Sequence, residues 1–277
     1  MSAAFLVVPE WQGSPSARAL RLIDGAFAIA ADLPSSATTV VEVPLEAGDA
    51  LGTNVERLSS VQEIRSRHAE ALAAATGTPI TIGGDCGVAL AAVEHVLDDD
   101  LAVVWFDAHP DLNTPDSSPS GAFSGMVLRT LLGDGPESLV PERPLDAARI
   151  VLAGTRTFDW GEAAFIEERG IPVVECASPD GAFADRLIDA VARTGARRVH
   201  IHVDVDVIDP AEFAGKYEPV PFGLPGAELT GAIRALLTRF PLAGASISEF
   251  APVAPEETAG DLAQILRVIG ALTAGLR

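Results

Sequence analysis
The chain has 277 residues, enough to bury a substantial core in one large domain or two small ones. Its formal net charge of -20 argues against a nucleic-acid partner, whose phosphates it would repel, and suits a cationic small substrate or metal ions. Two cysteines, Cys86 and Cys176, exclude a disulfide framework, and no apolar run is long enough to span a bilayer, so no membrane partner is expected.

The start of the chain lacks a basic leader and reads as a first strand over 5–9, which predicts a cytoplasmic protein. From there, short β-branched runs alternate with Ala/Leu-rich stretches of helical period. Strands are expected at 5–9, 38–45, 78–83, 101–107, 148–154, 171–175, 197–206 and 245–250. Helices are expected near 15–31, 55–76, 86–98, 124–133, 160–169, 182–194, 227–239 and 259–275. That order is the pattern of a parallel sheet covered by helices. With no internal repeat or low-complexity linker, residues 1–277 read as one domain. The stretches 113–120 and 211–225 read as loops over a site.

Ligand sites of open parallel sheets lie beyond the carboxyl ends of the strands, and four strand ends here carry unusual chemistry. The third ends "TIGGDCGVAL", placing Asp85 and Cys86 at a Gly-rich turn. The fourth runs "LAVVWFDAHPDLNTP", with Asp107, His109 and Asp111 at every second residue. Alternate side chains of an extended chain point the same way, so two carboxylates and an imidazole crowd one side, with no Lys or Arg nearby in the sequence. The seventh, "VHIHVDVDVIDP", aligns His200, His202, Asp204 and Asp206, and the eighth, "ASISEFAPV", leaves Glu249 at its tip. In "GTRTFDWGE", Asp159 and Glu162 have the spacing of a capping box for the next helix.

If these tips are neighbours, up to five carboxylates, an imidazole and a thiol share one crevice. Bare carboxylates that close raise each other's pKa. A divalent metal relieves this, and an oxygen-rich site with one or two nitrogens suits Mn²⁺ or Mg²⁺-like ions, as a pair ~3.5–4 Å apart. The alternative is that the acids are helix caps and loop ligands of separate origin.

The segments "GGDCGVAL", "WFDAHPDLN", "PSGAFSGM", "HVDVDVIDP" and "ISEFAPV" resemble the arginase/agmatinase (ureohydrolase) family in order and spacing, over nearly the whole chain. The resemblance implies a three-layer α/β/α sandwich around an eight-stranded parallel sheet. It also implies a binuclear Mn²⁺ centre that hydrolyses guanidino groups through a metal-bridging hydroxide. Carried over by position, Cys86, Asp107, Asp111 and Asp204 would hold one ion. Asp107, His109, Asp204 and Asp206 would hold the other. Glu249 would grip the guanidino group. Asn113, Ser118 and Ser120 would bind a substrate α-carboxylate, with Asp159 and Glu162 near its α-amino group, which favours an amino acid over agmatine.

Two positions depart from the family pattern. Cys86 stands where histidine is usual, and reads either as a thiolate ligand or as a buried structural thiol. A thiolate ligand would make Zn²⁺ or Fe²⁺ more acceptable than in an all-nitrogen, all-oxygen site. Ser124 stands in the place of the histidine that shuttles protons, a loss typically worth ~10²–10⁴-fold in rate. An N-hydroxylated guanidine needs less of that help, because its oxygen lowers the group's basicity and lets it bind neutral. The two departures are similar to the branch of the family that cleaves Nω-hydroxy-L-arginine to hydroxyurea and L-ornithine in D-cycloserine biosynthesis. In that setting Asp111 would pass a proton to the departing amine. His202 reads as an acid/base group or as a hydrogen-bonded core histidine, and Glu218 as an acceptor for the substrate N–OH or as an exposed loop acid.

The partner expected is therefore a guanidino or hydroxyguanidino amino acid, with monomer and homo-oligomer both open. The competing readings are an arginase or agmatinase acting on an unmodified guanidino group, and an inactive metal-binding relative. His68 and His95 are expected in helical, polar settings without chemistry, and Cys176 in the core.

Overall fold
The computed structural model describes residues 2–177, 182–216, 218–253 and 255–276, with the side chains of 255–257 left aside. All eight expected strands are present: β1 (Ala3–Val8), β2 (Thr38–Val40), β3 (Thr78–Gly83), β4 (Leu101–Phe106), β5 (Ile150–Ala153), β6 (Val173–Val174), β7 (Arg198–Asp204) and β8 (Leu242–Ser248). They form one sheet in the order β2-β1-β3-β8-β7-β4-β5-β6, every pair parallel. Parallel neighbours need crossovers. The helices are α1 (Arg21–Ala30), α2 (Leu58–Ala74), α3 (Ala89–Val96), α4 (Val127–Leu131), α5 (Trp160–Arg169), α6 (Phe183–Arg193), α7 (Gly226–Leu237) and α8 (Pro255–Thr273).

The inner strands β4 and β5 are apolar without alternation because both faces are covered. In β4, Ala102, Val104 and Phe106 join one core with α1, α6, α7 and α8. Leu101, Val103 and Trp105 join the other with α2, α3, α4 and α5. The expected three-layer α/β/α sandwich is borne out.

Boundaries differ from the sequence expectation for local reasons. The strand expected over 197–206 ends at Asp204, whose carboxylate accepts the Asp206 N–H at 2.7 Å and turns the chain into a short 3-10 segment. The helix expected from residue 86 likewise opens with a 3-10 turn, because the Asp85 carboxylate accepts the Gly87 N–H at 2.9 Å. The edge strand β2 stops at Val40, before Pro44, which has no N–H to continue a ladder. Among the described residues no helix is long and apolar enough to cross a membrane.

The strands whose ends carry the acids, β3, β8, β7 and β4, are consecutive in the sheet. The sheet order, and not any local contact, makes their tips neighbours.

Candidate metal centre
The four tips bring Cys86, Asp107, Asp204, Asp206, His109 and Glu249 together at the floor of a cleft of about 340 Å³, lined also by Asp111, Asn113, Ser118, Ser120, Ser124, Asp159, Glu162, Lys216 and Glu218. Three ligand sets have atoms within 4.8 Å of one another: Cys86–Asp107–His202, Cys86–Asp204–Glu249 and Asp107–His109–Asp206.

Each floor residue is aimed by its backbone. The Asp107 carboxylate accepts the Trp105 indole N–H at 3.1 Å and the His109 N–H at 2.6 Å. Asp206 accepts the Ala108 N–H at 2.9 Å and sits 2.9 Å from His109 Nδ1. Cys86 Sγ lies 3.4 Å from Asp204 Oδ2 and 3.3 Å from Ser248 Oγ. Glu249 Oε1 accepts the Cys86 N–H at 3.3 Å. Asp111 and Glu249 both hold left-handed backbone, φ +51° and +67°, a conformation that costs a non-glycine residue energy and is concentrated at functional sites.

The electrostatics fit a cation. Burial first, then the neighbouring acids, pushes Asp111, Asp204 and Glu249 well above the ordinary carboxylate range and raises the Cys86 thiol. Burial and Asp206 take Asp107 up to about 7. Asp206 is the exception: burial works against it, but the hydrogen bond and charge of His109 hold it low. Burial would lower His109, yet the hydrogen bonds it donates to the Asp107 and Asp206 carboxylates raise it. Without a cation these groups must take up protons. Asp111 Oδ2 and His202 Nε2 are buried and unpartnered among the described residues, which is the condition of atoms waiting for an ion. Sulfur, nitrogen and carboxylate oxygen in this number fit a divalent pair.

The upper wall is more occupied than its sequence suggested. Glu162 accepts from the Leu112 N–H and the Asp159 N–H, each at 2.9 Å, so both of its oxygens tie the loop after β4 to the start of α5. Asn113 donates to Asp159 Oδ2 and accepts from Ser117 Oγ, both at 2.8 Å. The Ser118 and Ser120 hydroxyls accept the N–H groups of Gly121 and Ala122 in local turns. Glu218 is exposed at the cleft mouth, its Oε2 3.9 Å from His109 Nε2.

Several sequence expectations need correction. A cation does stand beside the acids: Lys216, from the loop after Asp209, is buried in the cleft wall, its ammonium donating to the Ile208 carbonyl. Burial lowers it to about 8, so it is charged at neutral pH. A lysine in a loop of irregular structure carries no periodic signal, which is why sequence reading passed over it. Asp85 turns away from the cleft, accepting from the Gly13 and Gly87 N–H groups. His68 is buried, not polar-facing, and pairs with Thr81 Oγ1 at 3.1 Å. Cys176 lies half-buried beyond β6, Sγ 3.6 Å from the Gly154 carbonyl, at the rim of a second cleft.

Fold and site together define a parallel α/β protein whose strand tips form an acid-, thiol- and imidazole-lined cleft suited to divalent cations. The chain belongs to the arginase family, whose profile matches residues 19–270. It is 34% identical to the arginase of Staphylococcus aureus over 166 residues, 57% of this chain and 55% of that protein, so the match spans about half of that relative's length. It is 29% identical to the arginase of Bacillus caldovelox over 220 residues, 76% of this chain and 74% of the relative. The Entamoeba histolytica arginase structure in complex with L-ornithine superposes with a TM-score of 0.87 at 24% identity, over 99% of both chains. Proclavaminate amidino hydrolase from Streptomyces clavuligerus shares the fold, with a TM-score of 0.75 at 22% identity, over 98% of this chain and 90% of that one.

Proposed function
We propose that the protein is a metal-dependent amidinohydrolase that converts Nω-hydroxy-L-arginine and water to hydroxyurea and L-ornithine, the step of that type in D-cycloserine biosynthesis. It would work in the cytoplasm as one catalytic domain. The family match and the cleft chemistry support amidine hydrolysis. The observation that carries the hydroxylated substrate is Ser124, a side chain in the cleft wall that cannot exchange a proton near pH 7.

Cys86, Asp107, Asp111 and Asp204 would hold one ion, and Asp107, His109, Asp204 and Asp206 the other. When bound, a manganese pair supplies Lewis acidity that brings the pKa of water near neutrality. The chain's own groups then set the reaction's geometry. Glu249, fixed by the Cys86 N–H, holds the hydroxyguanidine nitrogens. Asp111, with one oxygen unpartnered, delivers a proton to the departing ornithine amine. Glu218 at the mouth accepts the substrate N–OH. Asn113, Ser118, Ser120 and Asp159 face the amino-acid end. Lys216 supports the same reading, because a buried ammonium in the cleft wall adds to the positive charge that bound ions would bring and favours a substrate that binds neutral.

The test is product analysis with the purified Mn²⁺ protein. Hydroxyurea and ornithine are expected from Nω-hydroxy-L-arginine, with kcat/KM above that for L-arginine by ~10²-fold or more, the usual worth of a missing proton shuttle. Equal or faster turnover of L-arginine or agmatine would make it an arginase or agmatinase. Bound metal without turnover of any guanidino compound would make it an inactive relative.

A further inference from the structure
His202 is fully buried, and two neighbours fix its ring. It stacks on Trp105 with centroids 3.7 Å apart and planes 20° apart. Its Nδ1 sits 2.8 Å from Ser246 Oγ, and that hydroxyl is 3.2 Å from His200 Nε2. The remaining nitrogen, Nε2, has no partner among the described residues. A His202 ring nitrogen, Cys86 Sγ and an Asp107 carboxylate oxygen lie within 4.8 Å of one another. With Nδ1 engaged by Ser246, Nε2 is the nitrogen left free to ligate. Ligands ~2.0–2.3 Å from a shared ion would fit within that 4.8 Å span.

The tautomer agrees with ligation. A ligating Nε2 needs its proton on Nδ1, and metal-bound histidines generally donate that other N–H to a fixed acceptor. Ser246 Oγ is such an acceptor, and its own proton can pass on to His200 Nε2.

We propose that His202 is a nitrogen ligand of the ion held by Cys86, added to Cys86, Asp107, Asp111 and Asp204, so that this half of the centre accepts Zn²⁺ or Co²⁺ more readily than the half without sulfur does. The inference rests on the reading of Cys86 as a ligand. Thiolate and imidazole together suit Zn²⁺-class ions, whereas carboxylate and water suit Mn²⁺. The other ion keeps the Asp107–His109–Asp206 set, so the two positions differ in selectivity.

The experiment is titration of the metal-free protein with Co²⁺ and with Zn²⁺, following the near-ultraviolet thiolate-to-cobalt charge-transfer band and the visible cobalt bands. Wild type is expected to show the charge-transfer band, and Cys86→Ser to lose it. His202→Gln preserves approximate size and an N–H but replaces the imidazole nitrogen with an amide, a weaker donor to Zn²⁺ or Co²⁺. It should weaken binding at the sulfur-bearing position by ~10–100-fold or more and shift the visible bands. Ser246→Ala, which leaves the ring in place, should weaken it by about 10-fold. Binding by the Asp107–His109–Asp206 set, read by Mn²⁺ spin resonance, should not change. A wild-type charge-transfer band with affinity and spectrum unaltered in both His202→Gln and Ser246→Ala would overturn this inference alone. No charge-transfer band in wild type would overturn it together with sulfur ligation.

Discussion
A few side chains at fixed places decide what this cleft can do. Ser124 is the clearest. Its backbone is anchored through its N–H to the Gly13 carbonyl at 3.0 Å, so a histidine placed there inherits a fixed point of attachment at the cleft wall. Ser124→His is expected to raise kcat for L-arginine by ~10-fold or more while changing hydroxyarginine turnover little. Steady-state rates on the two substrates check this, and an unchanged arginine rate would remove Ser124 from the account of specificity. The identity of these side chains was readable in the sequence, because Asp107, His109 and Asp111 on one side and Asp204 and Asp206 on the other stand at a spacing of two. Their direction was not. Cys86 and Asp85 are adjacent, yet one faces the acids and the other turns to Gly13, and only packing against distant segments decides which. Lys216 was invisible for the same reason.

The turn closing β3 shows how an element carries the site. The space beside Gly84 is filled by the Glu10 backbone: a Cβ there would stand 1.6 Å from the Glu10 carbonyl oxygen. The Gly84 carbonyl in turn accepts the Glu249 N–H at 2.7 Å. Gly84→Ala must therefore push β3 away from the segment after β1 and displace both Cys86 and Glu249. A cost of about 1–3 kcal/mol is expected, the range for forced overpacking, at ~2–4 °C of Tm per kcal/mol. Thermal melting measures it, and metal content reports the accompanying loss at Cys86. The inner strands β4 and β5 were legible because their apolar runs are covered on both faces. Strand ends were less so: Asp85 and Asp204 stop their strands by capping N–H groups two residues ahead, a local competition that hydrophobic periodicity does not register.

Across the whole molecule the acidic floor makes stability depend on pH and metal together. Asp107 is raised to about 7, and burial pushes Asp111, Asp204 and Glu249 well above the ordinary carboxylate range, so the metal-free native state retains protons that the unfolded chain has already lost at neutral pH. Where the native state binds more protons, stability falls as pH rises. The metal-free protein should therefore gain Tm as pH is lowered from 8 to 6.5. The buried histidines His68 and His200, lowered to about 3, oppose that gain only below their unfolded value of 6.5. Metal-loaded protein should lack this gain, because its ligands are already deprotonated. Calorimetry of both forms at the two pH values checks it, and parallel curves would mean that the acids are neutralised within the fold. The sheet order carries a last consequence for biogenesis. Among the described strands β8, the last of the eight in chain order, is the seam between a three-strand panel bearing Cys86 and a four-strand panel bearing Asp107 and Asp204. Until it slots in, the thiol belongs to a separate half-built sheet, so the sulfur-bearing half of the centre must assemble after the Asp107–His109–Asp206 half, which β4 and β7 carry by themselves.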